Sequence, residues 1–313
     1  MSAGVSTYSS SDPRSKLASA VPAAGAAAAA PYAAKAGPTE FAAAEYVKFH
    51  DVPPSETSPA ARTWYARGQN FVVAYSEVTA EMVFTRRNVD EYFVILLEKE
   101  SRATLSAAGE QKEAGGYTIS IVPPGESAVK MSPGTLVRVI STRNEDVAAK
   151  CSNAQAYANA HPNIPPFQPW PDPPGGFRIR TYSLDVPPKE GRFGRIWRST
   201  TMMINVLPHE APRDVGKLSP HHHEDFEQGS LALQGSFTHH IRWPWIANMH
   251  QWRDDDHEVC PAPSIAVIPP PAIHTSAATD PRGNQLIDIF SPPRLDFSKM
   301  PGWVLNADEY PMP

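Results

Sequence analysis

The chain has 313 residues, with 28 basic and 33 acidic residues and a net charge of −5, which allows one large domain or two ordinary ones. The mild acidity argues against a nucleic acid or an anionic membrane as a partner, because either would need a basic patch. No run of apolar residues is long enough to span a membrane. Two cysteines, Cys151 and Cys260, exclude a disulfide scaffold and are compatible with a reducing, cytoplasmic location.

The first 38 residues are rich in Ala, Ser and Pro and contain almost no large apolar side chains. Such a composition buries too little apolar surface to fold, so it predicts a mostly disordered, Ala-rich tail over residues 1–38. The whole chain holds 34 prolines. This number favours short β elements joined by turns, because proline is costly inside helices and inside central strands.

From about Thr63 onward, short segments rich in Val, Ile, Tyr and Thr alternate with turns, as in "NFVVAYSEV", "EYFVILLEKE" and "YTISIVPPGES". This pattern is typical of consecutive antiparallel strands in a sandwich or barrel, so the predicted fold class is all-β. Residues 151–190 include "PNIPPFQPWPDPPGG" and are predicted to form an extended, proline-rich linker. We therefore predict one domain over residues 39–150 and a second over residues 191–313.

The two halves look like copies of one unit. "DEYFVILLEKE" matches "FEQGSLALQGS", which aligns Glu91 with Gln228, and "TISIVPPGESA" matches "SIAVIPPPAIH", which aligns Ala128 with His274. The second half has nine more residues between these matches, in the segment "WPWIANMHQWRDDDHE", which we interpret as a loop insertion. Two matches in the same order predict an internal duplication.

Eight of the eleven histidines lie between His221 and His274, so the chemistry is expected there. Alternate side chains of a strand share a face, which puts His221 and His223 on one side and His222 on the other. Glu227 or Gln228 follows after a turn, and His274 comes from a distant strand. Three imidazoles and one side-chain oxygen form a ligand set that suits Fe, Mn, Ni, Cu or Zn.

The segments "HHHEDFEQGSLALQG" and "PPPAIHTSAA" resemble the two motifs of the cupin superfamily, G-x5-H-x-H-x3–4-E-x6-G and P-x-G-x2-H-x3-N. The segment "LIDIFSPPRLDF" is similar to the last cupin strand and the residues after it. Because both halves carry the pattern, the chain resembles a bicupin over about residues 40–310. The resemblance implies two tandem double-stranded β-helix, or jelly-roll, barrels, which commonly associate into homo-oligomers.

The resemblance also implies the metal ligands. They are His221, His223, His274 and one residue of the pair Glu227–Gln228. A gap of six residues before Gly235 selects Gln228, whereas a gap of three residues after His223 selects Glu227. We expect one divalent transition metal per chain, Fe(II) first, with Mn, Ni, Zn and Cu as alternatives. His240 and Arg242 are the candidates for contacts just beyond the ligands or with a substrate.

The first half lacks the imidazoles of this motif. Phe84, Arg86 and Ala128 stand where the second half has His221, His223 and His274. We therefore predict a metal site in the C-terminal cupin only and a structural role for the N-terminal cupin. The alternative is a metal-free pocket that uses Arg86 and Glu91.

Three functions follow from this metal site. The first, which the sequence slightly favours, is a dioxygenase that acts on a small carboxylated or phenolic molecule. The second is an isomerase, lyase or decarboxylase of a small organic acid or sugar acid, in which the metal acts as a Lewis acid. The third is a binding protein without enzymatic activity, because the fold hosts many functions. A neutral Gln228 ligand would favour the second function, and a charged Glu227 ligand would favour the first.

Overall fold

The computed structural model describes residues 41–313, and the tail predicted over residues 1–38 lies outside the described residues. The described part is built from strands and confirms the all-β fold class. The first half contributes β1 (Glu45–Lys48), β2 (Glu56–Thr57), β3 (Ala61–Arg67), β4 (Phe71–Val78), β5 (Met82–Asn88), β6 (Tyr92–Leu96), β7 (Arg102–Ala107), β8 (Glu110–Gly115), β9 (Thr118–Val122), β10 (Gly125–Met131) and β11 (Gly134–Ser141).

The second half contributes β12 (Arg180–Ser183), β13 (Arg195–Arg198), β14 (Met203–Val206), β15 (Glu227–Gln234), β16 (Ser236–Arg242), β17 (Asp256–Pro261), β18 (Ser264–Ile268), β19 (Ile273–Ala278) and β20 (Gln285–Ser291). Helices are short: α1 (Glu145–Ala148), α2 (Leu295–Ser298) and the 3-10 turns Phe49–Asp51, Ala154–Tyr157, Val215–Lys217 and Met249–Gln251. Between residues 41 and 313 no helix has the length and apolar character needed to cross a membrane.

Each half forms a barrel of two sheets. The N-terminal barrel consists of the sheet β12-β9-β6-β11-β4-β3-β2 and the sheet β5-β10-β7-β8. The C-terminal barrel consists of the sheet β1-β18-β15-β20-β14-β13 and the sheet β17-β16-β19. The N-terminal barrel holds one continuous apolar core beside a few buried polar side chains, whereas the C-terminal barrel holds several smaller apolar clusters. Polar side chains therefore occupy more of the C-terminal interior.

The two large sheets pack against each other and bury both of their faces. On β11, Val137 and Val139 lie in a cluster shared with Ile287 and Ile289 of β20, so they point toward the opposite barrel. The neighbouring Leu136 of β11 points into its own barrel instead. Strands buried on both faces read as unbroken apolar runs, which explains segments such as "YFVIL" and "SIAVI". Each fully buried Val or Ile stabilises the folded state by about 1.5–3 kcal/mol.

The barrels exchange edge strands. The first strand, β1, pairs antiparallel with β18 of the C-terminal barrel, from Glu45 opposite Val267 to Lys48 opposite Ser264. Conversely, β12 lies within the predicted linker segment and pairs with β9 of the N-terminal barrel. Each exchanged strand covers an edge that would otherwise present unpaired backbone groups. The strand exchange and the shared core together join the two barrels into one body.

The strand order of the first half recurs in the second, with one insertion and one reduction. Only residues 108 and 109 separate β7 from β8, whereas the equivalent strands β16 and β17 are separated by residues 243–255, where the loop insertion was predicted. The segment equivalent to β5 is reduced to a single bridge between His221 and His274.

Two buried glutamates interlock the barrels in a reciprocal manner. Glu91, in the N-terminal barrel, accepts hydrogen bonds from the Tyr310 hydroxyl at 2.6 Å and from the Thr200 backbone N–H at 3.3 Å. Glu227, in the C-terminal barrel, accepts hydrogen bonds from the Tyr157 hydroxyl at 3.2 Å and from the Gln69 backbone N–H at 2.6 Å. Each carboxylate thus binds a hairpin turn and a tyrosine of the opposite half.

Glycine makes one of these contacts possible. A Cβ atom at Gly68 would overlap the Glu227 carboxylate. The interlock also corrects the sequence alignment, because Glu91 is the equivalent of Glu227 and not of Gln228. Ala128 is likewise not the equivalent of His274. Ala128 is half-buried, whereas its two neighbours on β10, Ser127 and Val129, are buried.

Removing either tyrosine hydroxyl should leave a buried carboxylate one donor short. We expect Tyr310→Phe and Tyr157→Phe each to lower the free energy of unfolding by about 1–3 kcal/mol, measured by urea denaturation. Tyr75→Phe is the matched control, since its hydroxyl makes a long contact of 3.4 Å with the partly exposed Glu77 and no contact with a buried carboxylate of the described residues. Equal losses in all three variants would contradict the interlock.

Burial raises the pKa of Glu91 above its ordinary value of 4.5, against the opposing hydrogen bonds from Tyr310 and Thr200. The folded chain therefore holds this proton to higher pH than the unfolded chain does. The resulting stabilisation is complete below about pH 4.5 and is lost as the pH rises through the raised pKa. Glu91→Gln should flatten this part of the unfolding profile, whereas the exposed control Glu126→Gln should leave it unchanged. An unaltered slope in Glu91→Gln would count against the assignment.

Candidate metal centre

His221 and His274 face each other inside the C-terminal barrel. Their backbones form an antiparallel bridge, with N–H to carbonyl distances of 3.0 and 2.7 Å, and their ring centroids lie 4.5 Å apart. In both residues Nδ1 contacts the backbone carbonyl two residues earlier at 3.0 Å, that of Ser219 for His221 and that of Ala272 for His274. Because a carbonyl only accepts, each Nδ1 carries a proton, and a neutral ring then presents Nε2 as a lone pair.

Arg213 forms hydrogen bonds with both segments that carry this pair. Its guanidinium donates to the Ser219 hydroxyl at 2.6 Å and to the Ser276 carbonyl at 3.1 Å. Ser219 precedes His221 by two residues, and Ser276 follows His274 by two residues. Arg213 therefore ties together the two segments that carry the facing histidines.

Gln228 adds an amide oxygen to the pair. Its Nε2 donates to the Ser230 hydroxyl at 3.1 Å and lies 3.4 Å from the Asp288 carboxylate. A carboxylate accepts and does not donate, so the amide nitrogen must be the end that faces Asp288. Oε1 then points to His274 Nε2, 3.4 Å away. With Nδ1 of His274 protonated, two lone pairs face each other, an arrangement that a cation between them would stabilise.

His223 completes the cluster. Its ring stacks on Phe226 with centroids 3.9 Å apart and meets the His274 ring edge-on at 5.0 Å. Both ring nitrogens are buried and lack a hydrogen bond of normal geometry, although Gln228 and the Phe226 backbone lie nearby. Burial, then His274 and Arg294, hold the pKa of His223 well below its ordinary value, so the ring is neutral. A buried neutral imidazole whose nitrogens lack a hydrogen-bond partner is chemically suited to bind a metal.

The four side chains fit a divalent transition metal by donor chemistry, as three imidazoles and one amide oxygen. Across residues 41–313, no three His, Cys, Asp or Glu side chains are arranged as a preformed metal site. The cluster supplies three imidazole nitrogens as ligands, and the fourth ligand is an amide oxygen.

Glu227, the alternative to Gln228, points to the opposite side of β15. Its carboxylate lies in the interlock with Gln69 and Tyr157, where burial raises its pKa to about 7. The alternation of a strand explains this separation, because neighbouring residues face opposite ways. The structure therefore brings His221, His223, Gln228 and His274 together and places Glu227 elsewhere. His222 is half-buried, between the two buried histidines.

His240 and Arg242 were wrong as candidates near the site. His240 lies on the outer face of β16, where its Nδ1 is 2.8 Å from Nδ1 of His257. Arg242 has a side chain that is 70% exposed, and it forms a bidentate ion pair with Asp255.

His239 is the histidine that faces inward, and sequence reasoning missed it. It is 1% exposed, its Nδ1 lies 2.8 Å from the Ser276 hydroxyl, and its Nε2 has no hydrogen-bond partner. Burial, with His274 and His240 adding to it, lowers its pKa to about 3. The signal was present in the sequence, since His239 alternates with the apolar Phe237 and Ile241 on one strand.

A cavity of about 480 Å³ opens onto His221, Gln228 and His274. Four cationic side chains and two acidic ones line it, together with apolar residues: Arg192, Arg213, Lys217, Arg294, Glu210, Asp288, Phe237, Leu286 and Phe290. Arg294 lies over the Phe297 ring and pairs with Asp296 at 2.6 Å. The excess of cationic groups gives this cavity a positive character.

No protein-family model and no curated protein matches the sequence. Solved structures share its fold. AerE from Microcystis aeruginosa is 11% identical, with a TM-score of 0.50, over 80% of this chain and 98% of its own. A mutant of Bacillus subtilis oxalate decarboxylase is 12% identical, with a TM-score of 0.55, over 84% of this chain and 82% of its own.

The oxalate decarboxylase of Lactobacillus farciminis, in complex with formate, is 13% identical, with a TM-score of 0.53, over 80% of this chain and 86% of its own. At such low identity these likenesses show the fold alone. That fold consists of two tandem barrels, as the sequence resemblance implied.

Proposed function

We propose that this chain is a metal-dependent enzyme that removes a carboxyl group from a small organic acid, with a divalent metal held by His221, His223, Gln228 and His274. The observation that carries the proposal is the orientation of β15. Gln228 faces the histidines, and Glu227 faces the opposite barrel. A ligand set without a carboxylate leaves the full positive charge of the ion in the site. When bound, such an ion supplies Lewis acidity that polarises a carboxylate or carbonyl oxygen.

The side chains of the cavity support an anionic substrate. Arg192, Arg213, Lys217 and Arg294 outnumber Glu210 and Asp288 on its walls. Guanidinium groups bind carboxylates in a bidentate manner, which orients the acid as well as attracting it. The apolar patch of Phe237, Leu286 and Phe290 limits the room for water. The likeness to two oxalate decarboxylases makes oxalate the first acid to test.

Glu210 is the residue best suited to handle a proton. It lines the cavity and is partly buried, and burial raises its pKa, against the opposing charges of Arg213 and His209. Such a carboxyl group keeps its proton at a pH where an exposed glutamate has lost it. Loss of CO₂ requires a proton at the carbon left behind, and Glu210 can supply one from its carboxyl oxygen.

Metal analysis of purified variants tests the ligand set. We expect His221→Ala and His274→Ala to lower the metal content at least tenfold, because each removes one of a few ligands. His222→Ala is the matched control and should keep the full content, as should Glu227→Gln. Loss of metal from Glu227→Gln, with retention in His274→Ala, would overturn the assignment. The identity of the ion, for which Fe(II) was ranked first, stays a prediction that the same measurement answers.

Turnover tests the reaction class. We expect the metal-loaded protein to release CO₂ from oxalate or another small dicarboxylate, with no uptake of O₂ in proportion to product. Glu210→Gln should lower that rate about 10²-fold or more without loss of metal, whereas the exposed control Glu190→Gln should not. Uptake of one O₂ per product would show the dioxygenase chemistry favoured from the sequence. A fully loaded protein inactive on all such acids would favour the non-enzymatic binding protein.

A further inference from the structure

We propose that the N-terminal barrel binds a small carboxylate anion at the position where the C-terminal barrel gathers its histidines. The strand register makes the two positions comparable. Arg138 pairs with Ala74 and Val94, as Asp288 pairs with Asn205 and Ser230. Arg86 is opposite Ser127, as His221 is opposite His274.

The exchanged side chains convert a set of metal ligands into a set of hydrogen-bond donors. Arg86, which the sequence alignment set against His223, replaces His221 in the strand register. Ser127 replaces His274, and Arg138 replaces Asp288, which lies beside the ligand set. Tyr92 replaces Gln228, since each is the residue after the interlocking glutamate of its barrel. The Tyr92 and Ser127 hydroxyls lie 3.1 Å apart, like the contact between Gln228 and His274. Asp146 already balances the charge of Arg86. Arg138, which forms no such ion pair with the described residues, is therefore the group that would repel a cation and attract an anion, and the two hydroxyls can donate to that anion.

Arg138 needs such an anion. It is 2% exposed, and no ion pair formed within residues 41–313 includes it. Its guanidinium lies 4.6 Å from the centre of the Phe84 ring and donates to the Ser76 hydroxyl at 3.4 Å, while its Nε has no acceptor. The carboxylate of Glu56 is near enough to interact with Arg138 electrostatically but does not form an ion pair with it. A buried charge without a counter-ion in direct contact is costly to the folded state. An anion beside Arg138 would remove that cost.

A second buried donor without an acceptor lies on the opposite sheet of the barrel. Asn88 is buried on β5, two residues after Arg86, and its Nδ2 has no acceptor. Its Oδ1 accepts from Arg86 Nε at 3.1 Å, so the amide nitrogen is the end left over. Asn88 and Arg138 come from opposite sheets of the barrel, and each has an N–H group that lacks an acceptor. An anion bound between the two sheets would supply the acceptor that these N–H groups lack.

Two of the four exchanged residues lie at the surface of the barrel, and Arg138 and Tyr92 lie deeper. An open cavity lies at the end of β5 and β10, and Arg86 and Ser127 are among its walls. Arg86 is held at this mouth by a bidentate ion pair with Asp146, at 2.7 and 2.9 Å. The ligand class follows from the chemistry: planar guanidinium groups match the two oxygens of a carboxylate.

Calorimetric titration with sodium acetate and sodium formate tests this site, with sodium chloride maintaining the ionic strength. The titration uses full-length His274→Ala protein, so that the metal centre takes no part. We expect saturable binding of acetate, and Arg138→Met in that background should weaken it at least tenfold. Arg102→Met, an exposed arginine on β7, is the matched control and should not change the affinity.

Tyr92→Phe removes one hydroxyl with little change of volume and covers the case in which Arg138→Met fails to fold. It should also weaken acetate binding. Acetate affinity that is unchanged in both variants, or absent from the parent, would overturn the proposal. Because the titration needs neither metal nor turnover, its failure would leave the proposed decarboxylase untouched, and the reverse also holds.

Discussion

The alternation of β15 is the constraint on which the chemistry of this molecule depends. Neighbouring residues of a strand face opposite ways, so Glu227 and Gln228 cannot both face the histidines. The glutamate is held on the far side by Tyr157 and the Gln69 backbone of the other barrel. These contacts between the barrels therefore determine whether a carboxylate or an amide oxygen lies beside the histidines. They thereby determine the charge of the histidine site. Packing between the two halves and the chemistry of one half are set by the same pair of residues.

The fold and most of the histidine cluster could be predicted from the sequence, because both depend on local patterns. Short apolar segments between turns indicated antiparallel strands, and the period of two put His221 and His223 on one face. The choice between Glu227 and Gln228 could not be made, since two ways of counting along the motif gave different answers. The partner that decides it, Gln69, lies 158 residues away in the chain.

His239 shows a different limit. Its alternation with Phe237 and Ile241 was visible in the sequence, yet the neighbouring His240 was named as the candidate near the metal ligands. Long-range pairing was also out of reach, as in the case of β1, whose partner β18 lies in the other half. The sequences of the two strands do not indicate that they pair, because nearly every residue type can form the backbone hydrogen bonds of a sheet.

The exchange of β1 and β12 has a consequence for how such a chain can be divided. A gene fragment that encodes either half alone would produce a barrel with an open edge and a spare strand that pairs with nothing of its own. Two such fragments would complement each other, in the manner of a split protein whose pieces assemble when they are mixed. The strand exchange therefore makes each half of the chain the complement of the other, although their inward-pointing side chains differ.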